Sequence, residues 1–111
     1  MLKTNGQFQF VYKRGKSVHA RSLVLFYLPK KGEKNVGYTA SKKVGNAVVR
    51  NRSKRRLRAL FAEFASLLQD GSYVLVAKAS MSTTSYEALK RDCRHVLKRT
   101  GGLADAKKVS S

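Results

Sequence analysis

The chain has 111 residues and a mass of 12.4 kDa, room for one domain, and its 24 Lys and Arg against 6 Asp and Glu give a net charge of +18. With 42% hydrophobic residues it can build a core, unlike a basic disordered tail, and the charge calls for a polyanion: RNA, DNA or an anionic membrane, with an acidic protein a weaker fit. A single cysteine, Cys93, excludes an intramolecular disulfide and a multi-cysteine zinc site, residues 1–12 lack the apolar run of a signal peptide, and the longest apolar stretch, 23–28, is far short of a membrane span, so a cytoplasmic setting is expected.

Thr4 followed by Gln7 fits a capping box, and Phe8, Val11 and Tyr12 then recur at helical spacing until Gly15 stops the helix. Strands are predicted over 16–20 and 21–28, the second rich in β-favouring residues, with a turn at Pro29 to Gly32 and a third strand over 35–41. Gly45 breaks that strand. Asn46 caps the longest predicted helix, 46–69, where Leu57, Leu60, Phe61, Phe64 and Leu68 form one apolar face before the Asp70-Gly71 stop. A fourth strand is expected over 73–79. Thr84 with Glu87 gives a second capping box ahead of a helix whose Tyr86, Leu89, Cys93, Val96 and Leu97 share a side. From Thr100 onward the chain offers nothing to pack and is expected to fray, leaving one domain over 1–100 and a flexible tail over 101–111. The order α-β-β-β-α-β-α implies an α+β fold with helices on one or both sides of a small four-stranded sheet, part of it an exposed surface bearing aromatic side chains.

The segment 42–58, KKVGNAVVRNRSKRRLR, carries eight basic side chains and no acidic one. A solvated helix face mixes signs, because like charges four apart destabilise a helix, yet Arg50/Lys54, Arg52/Arg56 and Lys54/Arg58 are all such pairs. Phosphates supplied from outside would offset them. At 100° per residue Arg50 lies in line with Leu57 and Leu68 but two turns earlier, so it is expected over the sheet edge, facing a cleft. Arg52, Arg55, Arg56 and Arg58 spread over the other faces. The free N–H groups near Asn46 and Ala47 add to anion binding, and Arg suits bidentate phosphate contacts. There is no Walker loop, and Lys42-Lys43 follow a strand where a helix-turn-helix needs a helix, so structured RNA is favoured over duplex DNA.

Phe8 and Tyr12 share a helix face while Phe10 points elsewhere. They serve either to pack the first helix on the sheet or to stack on unpaired bases, with Phe26, Thr39 and Ser41 on neighbouring strand faces. His19 and His95, the only histidines, would make a nuclease couple only if they met in space. The acidic residues are too dispersed for a two-metal site, Cys93 reads as core, and no catalytic or metal constellation is visible.

The run 42–58 resembles the Arg-Asn-Arg motif region of the bacterial ribonuclease P protein subunit family. FQFVYKRGKS (8–17) looks like that family's N-terminal helix and turn, and VGYTASKK (36–43) like its central strand; the similarity extends over about 2–99 in order. The resemblance implies a two-layer α/β sandwich of a four-stranded mixed sheet and three helices, like a domain of a small-subunit ribosomal protein, with an uncommon left-handed βαβ crossover. It implies a holoenzyme in which a large RNA removes the 5′ leader of precursor tRNA, using Mg2+ held mainly by RNA and substrate and no organic cofactor. The partners implied are the catalytic RNA and precursor tRNA, with other structured small RNAs as further partners, and neither membrane nor DNA. Matched residue by residue, the leader cleft would fall on Phe8, Tyr12, Lys13, Phe26, Thr39, Lys42 and Arg50, and contacts to the catalytic RNA on Asn46, Arg50, Asn51, Arg52, Lys54, Arg55 and Arg56. The chain is short before Thr4, without the longer basic arm of many members. Two other readings stay open: a ribosomal or RNA-chaperone module with Phe8, Tyr12 and Phe26 all buried, and a self-sufficient nuclease built on the two histidines.

Overall fold

The two most continuously apolar segments of the chain take the centre of the sheet. The computed structural model describes residues 5–102 and runs α1 (Asn5–Arg14), β1 (Lys16–His19), β2 (Leu23–Pro29), β3 (Lys34–Ala40), α2 (Ala47–Ala62), β4 (Gly71–Ala77) and α3 (Tyr86–Thr100). Short 3₁₀ turns lie at Lys42–Val44, Ala65–Leu67 and Ala79–Thr83. The strand order is β1-β2-β4-β3, with β3 parallel to β4 and the other pairs antiparallel, so the sheet is mixed and the fold α+β, as the order of elements predicts. Covered on both faces, β2 and β4 show no polar alternation; apart from Ser72 at the start of β4, the Lys, Ser, His, Asn and Thr side chains of the sheet lie on the edge strands β1 and β3.

On one face Leu23, Leu25, Tyr27, Tyr73, Leu75 and Ala77 pack under Leu57, Leu60 and Phe61 of α2 and Leu89, Cys93, Val96 and Leu97 of α3. The opposite face, Phe26, Leu28, Val74 and Val76, meets α1 through Val11, Phe8 and Tyr12. One ten-residue helix is all that covers that face among the described residues, and Thr39 and Val76 remain half-buried beside it.

Several boundaries differ from the sequence reading. α2 ends at Ala62, not at 69: the Glu63 N–H donates to the Leu60 and Phe61 carbonyls, and the turn at Ala65–Leu67 keeps Phe64 and Leu68 buried. A 3₁₀ turn of three residues preserves the inward spacing that periodicity detects while releasing the chain toward β4. β2 begins at Leu23 because the Ser22 N–H and hydroxyl both donate to Asp92 of α3, and β4 stops at Ala77 because Lys78 donates its N–H to the Ser22 carbonyl and its Nζ to the Ala20 carbonyl. The N-cap of α3 is Ser85, whose hydroxyl accepts from the Ala88 N–H, and not Thr84, whose hydroxyl donates to the Ser80 carbonyl. Thr4 of the first capping box lies outside the described residues. At the C-terminus packing extends past the boundary read from the sequence: Thr100 is buried, and the Gly102 carbonyl accepts from the Gln69 N–H and the Tyr73 hydroxyl. Residues 103–111 of the tail lie outside the described residues.

Candidate nucleic-acid interface

The position of α1 depends on Gly15. A Cβ there would stand 2.6 Å from the Val11 carbonyl oxygen and 2.9 Å from that of Tyr27, so only glycine lets the helix end lie directly on β2. Val11 seats α1 on Val74, and Phe8 and Tyr12 then fall to one side of that contact. The Tyr12 ring meets Phe26 edge to face at 4.8 Å between centroids, and Phe8 stands 6.4 Å from Tyr12. All three rings are half-buried, neither sealed in the core nor free of it, and partial burial raises the Tyr12 phenol above its usual range. The sheet register carries the surface onward: Val24 pairs with Val76, and Val76 with Thr39 on β3. From Thr39 the chain leads through Lys42, exposed, into the first turn of α2, where Arg50 is half-buried with its Nε enclosed and, among the described residues, without a hydrogen-bond partner. Lys13 stands exposed on α1 next to Tyr12.

Asn46 caps α2 as its sequence position predicts, its side-chain oxygen accepting from the Val49 N–H at 3.1 Å. Beyond the cap the helix sorts its basic side chains. Asn51, Arg52, Arg55 and Arg58 are exposed and Lys54 half-buried, and a groove of about 600 Å3 runs along Val48, Asn51, Lys54, Arg55 and Arg58. Arg56 turns instead toward the chain before α3, donating from Nη1 to the Met81 carbonyl and from Nη2 to the Thr84 carbonyl, each at 2.9 Å. Among the described residues the salt bridges are Lys30–Glu33 and Lys90–Glu63, so no carboxylate neutralises residues 42–58. The positive end of the helix and its row of arginines therefore face solvent uncompensated.

Two members of the groove are absent from the RNA-contacting residues matched in the sequence. Arg58 lies with its guanidinium 5.7 Å from the Tyr38 ring centroid, and Val48 is 63% exposed in the middle of the basic stripe. The same 100° arithmetic that sends Arg50 inward puts Val48 opposite Leu57, which is the signal that could have found it.

The histidines do not meet. His19 pairs with Val24 in β1 and shares the sheet face of α1, whereas His95 is an exposed residue of α3 on the other side of the sheet. Among the described residues no three His, Cys, Asp or Glu side chains converge to hold a metal ion, and no helix is long and apolar enough to cross a membrane.

Comparison with known proteins gives a consistent result. The family model described as Ribonuclease P matches residues 1–101. The ribonuclease P protein component of a Nitratiruptor species is 44% identical over 98 residues, 88% of this chain and 89% of that one. The component from a serotype III strain of Streptococcus agalactiae is 40% identical over 101 residues, covering 90% and 93%. The structure of the Staphylococcus aureus RNase P protein superposes with a TM-score of 0.81 at 31% identity, over 92% of this chain and 95% of the other. The Thermotoga maritima protein shares the fold, with a TM-score of 0.77 at 21% identity over 88% and 94%.

Proposed function

This chain belongs to the ribonuclease P protein family, and from that premise we propose that it is the RNA-binding subunit of a tRNA-processing endoribonuclease whose chemistry is carried by its large RNA. The 5′ leader of precursor tRNA runs through the cleft of Phe8, Tyr12, Lys13, Phe26, Thr39, Lys42 and Arg50. The catalytic RNA docks on Asn46, Arg50, Asn51, Arg52, Lys54 and Arg55, along a helix that Arg56 anchors to the rest of the protein. One observation carries this reading: a half-buried aromatic cluster, Phe8–Tyr12–Phe26, lies on the sheet face from which β3 leads into a basic helix without neutralising carboxylates. Stacking on aromatic rings accepts any base, which suits a leader of variable sequence and broadens the range of precursors recognised. Phosphates offset the like-charge pairs on α2 and give the Arg50 Nε an acceptor.

In this reading 1–100 form one RNA-binding domain acting in the cytoplasm. Mg2+ ions held by the RNA and its substrate supply Lewis acidity. The residues of this chain bind and orient the leader beside the scissile phosphodiester, and bring other structured small RNAs to the same basic surface.

The test is precursor tRNA cleavage by the cognate catalytic RNA at low Mg2+, with and without the protein, and with the protein alone as control. Stimulation that leaves a 5′-phosphate on the tRNA, with no cleavage by protein alone, is the expected result. Cleavage by the purified protein alone, or no stimulation of the RNA, overturns it.

A further inference from the structure

We propose that the flank of α1 opposite Tyr12 is a second site for an unpaired RNA base, with Phe10 as its stacking platform; the inference rests on the RNA-binding reading above. Val11 marks the line along which α1 touches the sheet, and helical spacing puts Phe8 and Tyr12 on one side of it and Phe10 on the other. Phe10 is 56% exposed, more than any other aromatic side chain among the described residues, and the Arg14 guanidinium lies 5.7 Å from its ring centroid.

The exposed ring borders a cavity whose floor is the sheet. This cavity, of about 480 Å3, lies between Phe10 and Val11 on the helix and Leu28, Ser72 and Asn35 on the sheet. Those three sheet residues are one cross-strand row, Leu28 opposite Ser72 and Ser72 opposite Asn35. Ser72 is only 7% exposed as a residue, and its hydroxyl keeps contact with solvent at the cavity wall and makes no hydrogen bond among the described residues. A hydroxyl that opens onto a cavity offers both a donor and an acceptor to a ligand placed there. Next to it, the half-buried Asn35 amide adds a donor and an acceptor.

A nucleobase matches both halves of the site. Its face stacks on Phe10, and its polar edge reaches Ser72 and Asn35. Arg14, exposed and beside the Phe10 ring, meets the phosphates. At the far end Glu33 is neutralised by Lys30 at 2.7 Å, which leaves a carboxylate able to accept from base amino groups without setting a bare negative charge in the path of the strand. A peptide would fit the apolar part but not the charge: the chain carries +18. The base comes either from the leader, after it has crossed α1, or from an unpaired nucleotide of the catalytic RNA.

The experiment uses the full chain assembled with its catalytic RNA and compares Phe10→Ala, Phe10→Trp, Ser72→Ala and Tyr12→Ala. Affinity is measured for the catalytic RNA itself and, in the holoenzyme, for precursors with long and short leaders. Phe10→Ala should weaken one arm by roughly 5- to 100-fold, Phe10→Trp should restore it, and Ser72→Ala should show a smaller loss in the same arm. A loss confined to the long-leader precursor identifies the leader as the source; a loss in affinity for the catalytic RNA identifies that RNA. If Phe10→Ala matches wild type in every arm, the second site is overturned. Tyr12→Ala then tells whether the underlying reading survives: a loss on precursors leaves it standing, and no loss removes it as well.

Discussion

The Arg56 guanidinium is hydrogen-bonded to the Met81 carbonyl, and its other amino group to that of Thr84, so one arginine of the basic helix is committed inside the protein. It ties α2 to the 3₁₀ turn Ala79–Thr83 that carries the chain from β4 to α3. Its neighbours Arg52 and Arg55 are exposed and make no such bond among the described residues. Position along one helix therefore divides identical side chains into a structural clamp and exposed guanidiniums that face solvent.

That division predicts opposite phenotypes. Arg56→Ala removes two charge-assisted bonds from a half-buried position and should cost about 2 kcal/mol of unfolding free energy in urea. Arg52→Ala should leave stability within about 0.5 kcal/mol of wild type but lower the slope of log affinity against log salt for the catalytic RNA by about 1. If Arg56→Ala unfolds at the wild-type midpoint, the clamp is not an energetic contact.

Tyr12 and Phe26 stand together at 4.8 Å, and in the proposed reading this half-buried pair is the stacking surface for the leader. Tyr12→Ala and Phe26→Ala should each weaken holoenzyme binding of precursor tRNA by about 1–3 kcal/mol while mature tRNA affinity barely moves. Phe26→Tyr keeps a ring and should keep the affinity. Equal losses for precursor and mature tRNA would mean that the cleft does not hold the leader.

The elements were legible wherever local chemistry decides them. Gly15 as a stop, Asn46 as a cap and the apolar run of β2 all act where the sequence indicates. Tertiary contacts decided the rest. Ser85 caps α3 because the Thr84 hydroxyl is drawn to Ser80, and β4 stops where Lys78 turns to Ser22 and Ala20. In the site, helical arithmetic separates Arg50 from the outward arginines but has no term for the carbonyls that capture Arg56. The pairing of β2 with β4, which carries the cleft floor from Phe26 toward Thr39, joins residues distant in sequence that periodicity alone does not connect.

Gly15 sets where α1 can lie, and so the width of the cleft. Gly15→Ala would push a methyl group into the Val11 and Tyr27 carbonyl oxygens, both backbone atoms with little room to retreat. The expected cost is about 1–3 kcal/mol, as for other overpacked contacts, together with a loss of precursor affinity as α1 lifts from Phe26. Loss of stability with unchanged precursor binding would show that the helix holds its place by other contacts.

Alkaline pH should destabilise this protein through its buried thiol and phenols. Burial pushes the Cys93 thiol up to about 12 and raises the phenols of Tyr27, Tyr38 and Tyr73 as well. In the unfolded chain a thiol ionises at about 8.5 and a phenol at about 10. Above about pH 8.5 the unfolded state therefore sheds protons that the folded state keeps, and stability falls as pH rises toward about 12; below that window these groups contribute no pH dependence. The urea midpoint should be flat from these groups between neutral pH and about 8.5 and fall steadily above it, and Cys93→Ala should remove part of the slope. A thiol reagent at mildly alkaline pH should modify Cys93 only as fast as the protein opens, because the thiolate is the reactive form and the side chain is fully buried. Rapid labelling of the native protein, or a midpoint that holds through the alkaline range, would contradict both the burial of Cys93 and the sign of the linkage.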